Sequence, residues 1–131
     1  MNKNKPHKTE YINQEEIYEK IISALKNSHL NELSESYLIG SLTEKKFGIY
    51  DKEYEGFSGS DIDIVAILKN EIPSTWGEKE TSYKWHKKYF GGIIKINHVE
   101  HPISFMIPLK KNLEEFWKIA KELNWKVKKI K

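Results

Sequence analysis

The stretch Asp61-Ile62-Asp63-Ile64-Val65-Ala66-Ile67-Leu68 is the clearest strand signal in the chain and decides its fold class. β-branched residues favour a strand, and both faces become apolar after Asp63, which is typical of a covered central strand. Alternate side chains of a strand share a face, so Asp61 and Asp63 are expected to project side by side. Two such charges repel each other, and a divalent cation would neutralise them. The alternative is an exposed strand end at which Ser60 and Asp61 cap the loop.

The surrounding sequence predicts an α/β (α+β) fold, in which a small mixed sheet is flanked by helices. Asn13 and Glu16 have capping-box spacing before apolar residues that recur every four positions, which predicts a helix from Asn13. Residues 37–41 form a second apolar run that ends in Gly40-Ser41, and a helix is expected to begin at Ser41. A last helix is predicted from Asn112.

The segments between these elements give weaker signals. Residues 48–60 contain three glycines and several charges, so we expect a long surface loop, which either contacts the substrate or only decorates the surface. Residues 82–90 are aromatic and basic, and they fit either a short helix or a strand. Their aromatic rings could stack a nucleotide base or belong to the core. Residues 92–97 and 103–107 are predicted to be two strands joined by a tight connection.

Composition limits the class of protein. A chain of 131 residues accommodates one domain, so we expect a flexible basic tail at residues 1–10 and a single domain at residues 11–131. The absence of cysteine excludes disulfides and thiolate metal sites, and no apolar run or leader indicates a membrane span or secretion. We therefore expect a cytoplasmic protein. All 22 basic residues are lysines, so phosphate contacts have to use ammonium groups, hydroxyls or backbone N–H groups.

Gly40 and Ser41 suggest an anion site. Glycine permits close backbone approach, and the N–H groups at the start of a helix attract phosphate. A phosphate held there could meet a cation held by Asp61 and Asp63 only if the two strands are neighbours. We therefore expect the strand at residues 37–39 to lie beside the Asp61–Leu68 strand, with Ser41 Oγ facing the carboxylates across a cleft. Ser41 could equally act only as a helix cap.

These two motifs together carry a resemblance. The segment Leu38-Ile39-Gly40-Ser41, followed by Gly59-Ser60-Asp61-Ile62-Asp63-Ile64-Val65, resembles the polymerase-beta-type nucleotidyltransferase superfamily. The resemblance implies that Gly40, Ser41 and Ser60 contact the nucleotide and that Asp61 and Asp63 are catalytic ligands of Mg²⁺ or Mn²⁺. In that family two metal ions clamp the attacking and leaving oxygens.

The chain departs from the family pattern in three places. About twenty residues separate the two motifs, with an insertion around residues 47–57, and Leu42 stands where small members often carry arginine. The third catalytic carboxylate is expected near Pro102 or Ser104, but the nearest acid is Glu100. Either Glu100 is the third catalytic carboxylate, or the site lacks one and is incomplete.

The resemblance implies a Mg²⁺-dependent enzyme that transfers a nucleotide from an NTP to a hydroxyl acceptor and releases pyrophosphate. The acceptor is a protein, a small molecule or a nucleic-acid end, and a HEPN-type helical protein is an expected partner. The alternative is a catalytically weak nucleotide-binding module that regulates a partner protein. A basic nucleic-acid-binding domain is a third possibility, favoured only by the lysine-rich ends of the chain.

Overall fold

The strand expected at residues 61–68 lies inside the larger of two sheets. The computed structural model describes residues 5–131, which form a mixed α+β domain of two helices and two sheets, mostly strands. The elements are β1 (Lys8–Glu10), α1 (Gln14–Ser28), β2 (Leu33–Ile39), β3 (Gly48–Tyr54), β4 (Phe57–Gly59), β5 (Ile62–Leu68), β6 (Gly77–Lys79), β7 (His86–Ile96), β8 (Val99–Pro108), α2 (Glu114–Glu122) and β9 (Lys128–Lys129).

The larger sheet has six strands in the order β6-β7-β8-β5-β2-β9. Strand β5 is parallel to β8 and antiparallel to β2. The remaining strand pairs of this sheet are antiparallel. Ile39, the last residue of β2, pairs with Asp63 of β5. The expectation that residues 37–39 lie beside the Asp61–Leu68 strand is therefore confirmed, and the pairing brings Gly40 to the aspartates.

The two helices pack on apolar clusters formed by alternate residues of β5. One cluster contains Ile62, Ile64 and Ala66 of β5 with Ile17, Ile21 and Leu25 of α1. The other cluster contains Val65 with Phe116 and Ala120 of α2. Asp61 and Asp63 have the same alternation as Val65, so they face the side of the sheet on which α2 packs.

A smaller sheet of order β1-β3-β4 replaces the loop that we expected at residues 48–60. Glu55 and Gly56, between β3 and β4, both have positive φ, as a tight type I′ hairpin turn requires. Strand β1 pairs with β3, so residues 8–10 are ordered by pairing where a tail was expected. The rest of that predicted tail includes residues 1–4, which lie outside the described residues.

The prediction that a helix begins at Ser41 is wrong. Residues 41–45 form turns, in which Glu44 N donates to Gly40 O and Lys46 N donates to Ser41 O. Lys45 has a φ of 60°, which ends right-handed helical geometry, and the fully buried Phe47 draws the chain back into the core. No helix N-terminus is therefore available at Ser41.

The remaining strand expectations hold with altered limits. Residues 86–96 form β7, so the segment that fitted either a helix or a strand is mostly a strand. The turn between β7 and β8 is Asn97-His98, both at positive φ, so the expected tight connection is confirmed and is shorter than the residues 98–102 left between the two predicted strands. Neither helix in residues 5–131 is long and apolar enough to cross a membrane.

Candidate functional site

Asp61 and Asp63 form the acidic centre of the site. Asp61 immediately precedes β5, Asp63 lies within it, and both side chains are partly exposed. Burial raises the pKa of both carboxyl groups, and the negative charge of Asp61 helps to raise the pKa of Asp63 to about 6. The positive charges of Lys79 and Lys88 oppose these shifts. Neither carboxylate has an ion-pair partner within the described part of the chain.

Gly40 makes the closest backbone approach to this pair. Its φ of 82° is one that residues with a side chain rarely adopt, and a Cβ built there would lie 2.7 Å from Asp63 Oδ2. This position therefore needs glycine for its backbone conformation and for the space that Asp63 occupies. The close approach that the sequence suggested for Gly40 is made towards a carboxylate of the same chain.

A cavity of about 420 Å³ adjoins Gly40 and Asp63. Lys5 and Lys88 supply positive charge to its wall, while Tyr83 and Trp125 supply aromatic surface. The other lining residues are Ile39, Glu44, Glu80, Thr81, Ser82, His86 and Met106. One cavity thus combines a carboxylate for a cation, lysines for an anion and aromatic rings for a flat ligand group.

The aspartate pair fits one hard divalent cation. Carboxylate oxygens suit Mg²⁺ and Mn²⁺, and Mg²⁺ is commonly held by one or two carboxylates together with substrate phosphates. Within residues 5–131, no group of three or more acidic, histidine or cysteine side chains is gathered into a potential metal site. Within this part of the chain the two aspartates are therefore the candidate ligands of a cation, and substrate oxygens would complete its coordination.

Glu100 does not join the aspartates. It is exposed at the start of β8, where it pairs with Lys95 across the hairpin. The residue of β8 that pairs with Asp63 is Ser104, four positions further along the strand. At about 3.3 Å per residue, Glu100 lies roughly 13 Å along the strand from that position.

Ser104 and Lys79 occupy the region where a third carboxylate was expected. Ser104 is completely buried, and Lys79 Nζ lies 3.3 Å from its hydroxyl oxygen. The same ammonium group lies 3.7 Å from Glu55 Oε2. A neutral hydroxyl and a cation therefore stand beside Asp63 and Asp61.

Ser41 and Ser60 were expected to contact the phosphates, but neither residue lines the cavity. Ser41 does not line the cavity, although it directly follows Gly40. Ser60 is buried, and its hydroxyl donates to Gly48 O and accepts from Gly48 N, both at 3.0 Å. The hydroxyl of Ser60 is thus used to attach β3 to the start of β5.

The histidines have separate environments. His101 is fully buried: its Nδ1 donates to Ser60 O, its Nε2 is bonded to Tyr11 OH, and its ring stacks on Phe47. His98 is exposed in the β7–β8 turn. His86 lines the cavity and is bonded through Nε2 to Thr81, whereas its buried Nδ1 has no partner among residues 5–131.

Sequence reasoning missed several residues around the aspartates. Lys79 and Lys88 come together because β6 pairs with β7 at these two positions. Tyr50 of β3 is buried, and burial together with the charge of Asp61 raises its pKa to about 12. The charge of Asp61 therefore acts on a residue of the 47–57 insertion, so this insertion lies close to the site. Only the strand pairing would have revealed these neighbours.

The aromatic residues of the 82–90 region are divided between core and cavity. Trp85 and Tyr89 are buried, as expected for core residues, whereas Tyr83 is 38% exposed and lines the cavity. A larger cavity of about 1010 Å³ lies elsewhere, between residues 67–72 and 107–111, and does not contain the paired aspartates. Comparison with protein-family models, curated proteins and solved structures found no match to this chain.

Proposed function

We propose that this chain is a Mg²⁺-dependent nucleotidyltransferase built on a nucleotidyltransferase-like α+β fold. It transfers a nucleotide from an NTP to an acceptor hydroxyl and releases pyrophosphate. The observation that carries the proposal is the contact between the two motifs: Gly40 follows the residue that pairs with Asp63, and its missing side chain leaves the space that Asp63 Oδ2 occupies. One triphosphate with its cation can touch both motifs only in such an arrangement.

The chemistry of the lining residues supports this assignment. Asp61 and Asp63 would hold Mg²⁺ or Mn²⁺, which neutralises phosphate charge during transfer. Lys88 and Lys5 carry the positive charge that phosphate oxygens need in a chain without arginine. Tyr83 offers an exposed ring at the same cavity, suited to stacking on the nucleotide base.

The reaction forms a bond between the acceptor oxygen and the α-phosphorus and breaks the bond from that phosphorus to pyrophosphate. The acceptor hydroxyl gives up its proton to the surrounding water as the bond forms. A protein hydroxyl, a small molecule and a nucleic-acid end all fit this chemistry. A helical protein of the HEPN type is a proposed partner that supplies either the acceptor or further binding surface.

A second candidate is a nucleotide-binding module that regulates a partner and has little catalytic activity. Ser104 favours it, because this neutral residue pairs with Asp63 where a third carboxylate would activate the acceptor hydroxyl. Both candidates require Mg²⁺-nucleotide binding at the same aspartates, so binding and transfer have to be measured separately.

Binding is tested with Asp63→Asn, measured by thermal melting with and without Mg²⁺-ATP. We expect the variant to lose the ligand-induced rise in Tm, since it halves the carboxylate charge available to the cation. Its ligand-free form should be at least as stable as wild type at pH 7, because the substitution removes a partly desolvated charge beside Asp61.

The matched control is Asp51→Asn, at the only other aspartate of the chain, which is exposed on β3. It should keep the full response to Mg²⁺-ATP. An Asp63→Asn protein that melts lower without ligand, yet gains as much from Mg²⁺-ATP as wild type, would contradict the proposed site.

Transfer is tested by incubation with α-labelled ATP and Mg²⁺, alone and with the product of the neighbouring gene. Label that becomes covalently attached to an acceptor, and disappears in Asp63→Asn, supports the enzyme. Mg²⁺-ATP binding without any label transfer to the acceptors supplied supports the regulatory module.

A further inference from the structure

We propose that this site takes a single divalent cation and that the ammonium group of Lys79 supplies the positive charge of a second one. This inference rests on the proposed function and concerns which positively charged groups occupy the same site. It follows from the two residues beside the aspartates, Ser104 and Lys79, which have no place in the pattern that the sequence suggested.

Ser104 prevents the site from holding a second cation. It pairs with Asp63 on the parallel strand β8, and with Phe90 of β7 on its other side, so its place in the sheet is determined by both neighbours. It is completely buried, and its side chain offers a single neutral oxygen. A doubly charged ion needs several oxygen ligands, and carboxylates are the ones that compensate its charge. No further carboxylate or histidine within residues 5–131 completes such a set.

Lys79 brings a positive charge to the same place. It is the last residue of β6 and pairs with Lys88 of β7, which extends the sheet beside the aspartates. Its Nζ lies 3.3 Å from Ser104 Oγ and 3.7 Å from Glu55 Oε2, and its side chain is only 21% exposed. A largely buried ammonium group is stable only next to compensating negative charge. Glu55 and the nearby Asp61 provide that charge.

The ammonium group also retains capacity for a ligand. An ammonium group has three donors, and Ser104 accepts from one of them. The remaining donors can serve Glu55 and an oxygen of a bound phosphate. A second divalent cation at this place would meet the ammonium charge directly, and the two would repel each other. Lys79 is thus a phosphate-binding residue that occupies the space of a metal ion.

The number of cations can be counted with Mn²⁺ and a non-hydrolysable ATP analogue, by equilibrium binding and by electron paramagnetic resonance. Two Mn²⁺ ions at one nucleotide site are close enough to couple magnetically, whereas a single ion gives an uncoupled spectrum. For the wild-type chain we expect one bound Mn²⁺ per nucleotide-bound molecule and no coupling.

The role of Lys79 is tested with Lys79→Ala. We expect it to weaken binding of the Mn²⁺-nucleotide complex about tenfold, the loss of one charge-assisted hydrogen bond, while still binding one Mn²⁺. Lys87→Ala is the matched control, since Lys87 is an exposed lysine of β7 whose side chain lies on the opposite face of the sheet from Lys88, the residue that pairs with Lys79. It should bind like wild type.

A gain of function is expected when the missing ligand is supplied. The double variant Ser104→Asp with Lys79→Ala places a carboxylate beside Asp63 and removes the competing ammonium group. It should bind a second Mn²⁺ and show coupling, provided that its melting curve shows a folded protein. If this double variant does not fold, the wild-type count and Lys79→Ala still decide the inference.

The outcomes separate this inference from the proposed function. Two coupled Mn²⁺ ions in wild type, or equal affinities of Lys79→Ala and Lys87→Ala, would overturn the inference and leave the nucleotide site intact. A folded double variant that still binds one Mn²⁺ would also overturn it. Failure of the wild-type chain to bind the Mn²⁺-nucleotide complex at all would overturn both.

Discussion

At the residue scale, Gly40 links backbone geometry to the chemistry of the aspartates. Its positive φ lets the chain leave β2 sharply, and its missing side chain leaves the space that Asp63 Oδ2 occupies. The two requirements have different costs. A residue with a side chain at positive φ is strained by about 1–2 kcal/mol, whereas a displaced Asp63 would no longer meet its cation.

Gly40→Ala should therefore lower both stability and ligand response. We expect the free energy of unfolding to fall by about 1–2 kcal/mol from backbone strain, while the contact with the added methyl group moves the carboxylate of Asp63. The rise in Tm produced by Mg²⁺-ATP should largely disappear. Urea unfolding and thermal melting measure the two effects.

Gly56→Ala separates the two causes. Gly56 also has a positive φ, of 91°, but a Cβ there would meet no atom within 4 Å. This variant should show the backbone strain alone and keep the full response to Mg²⁺-ATP. Equal ligand responses in the two variants would show that the space beside Asp63 is unimportant.

At the element scale, Ser60 attaches the small sheet to the large one. Its buried hydroxyl forms two hydrogen bonds to the backbone of Gly48, and its own N–H forms a third with Gly48 O. Strand β3 carries Tyr50, and the β3–β4 turn carries Glu55, the partner of Lys79. The attachment of this hairpin therefore positions groups beside the aspartates.

Ser60→Ala should loosen the hairpin. It leaves the buried N–H of Gly48 without a partner, which costs roughly 1–3 kcal/mol of unfolding free energy. Compared with wild type, amide hydrogen exchange should become faster in β3 and β4 and stay unchanged in β5. Ser34→Ala is the control, because the hydroxyl of Ser34 is exposed and makes one bond of 3.2 Å to Ile67 O. Unchanged exchange in β3 would contradict this role for Ser60.

At the scale of the whole molecule, buried titratable groups make stability depend on pH. Burial lowers the pKa of His101 and of His86 to about 4, from an ordinary value of 6.5. Between these values the unfolded chain binds more protons, so the histidines lower stability as the pH falls from about 6.5 to 4. Asp63 acts in the opposite direction between about pH 4 and 6, because its raised pKa lets the folded chain bind more protons. Asp61, whose pKa burial also raises, acts in the same direction as Asp63, so the contribution of the histidines is isolated by replacing one of them.

His101→Gln should reduce this acid sensitivity. Between pH 7 and pH 5, wild type should lose roughly 1–2 kcal/mol more unfolding free energy than the variant, since one titrating histidine is removed. The variant should be less stable at pH 7, because His101 bonds to Ser60 O and Tyr11 OH and stacks on Phe47. Urea unfolding at the two pH values measures the difference. His98→Gln, in the exposed turn, should keep the wild-type pH dependence, and an equal dependence in His101→Gln would contradict the assignment.

Local sequence signals determined the elements whose information lies within a few residues. The β-branched run of β5, the four-residue repeat of α1 and the paired spacing of Asp61 and Asp63 need no distant partner to be read. They predicted the central strand, the first helix and the shared face of the aspartates. The pairing of β2 with β5 also followed, because Gly40 and the aspartates are useful together only as neighbours.

The tertiary structure alone decided what surrounds those aspartates. Residues 41–45 turn instead of forming a helix because Phe47 is drawn into the core, and residues 48–59 form a hairpin because β1 pairs with it. Ser104 and Lys79 are 25 residues apart in the chain and meet only through the pairing of β6, β7 and β8. Such contacts depend on strand register, which is set by the whole sheet and its buried faces, so no local pattern could place a cation where a carboxylate was expected.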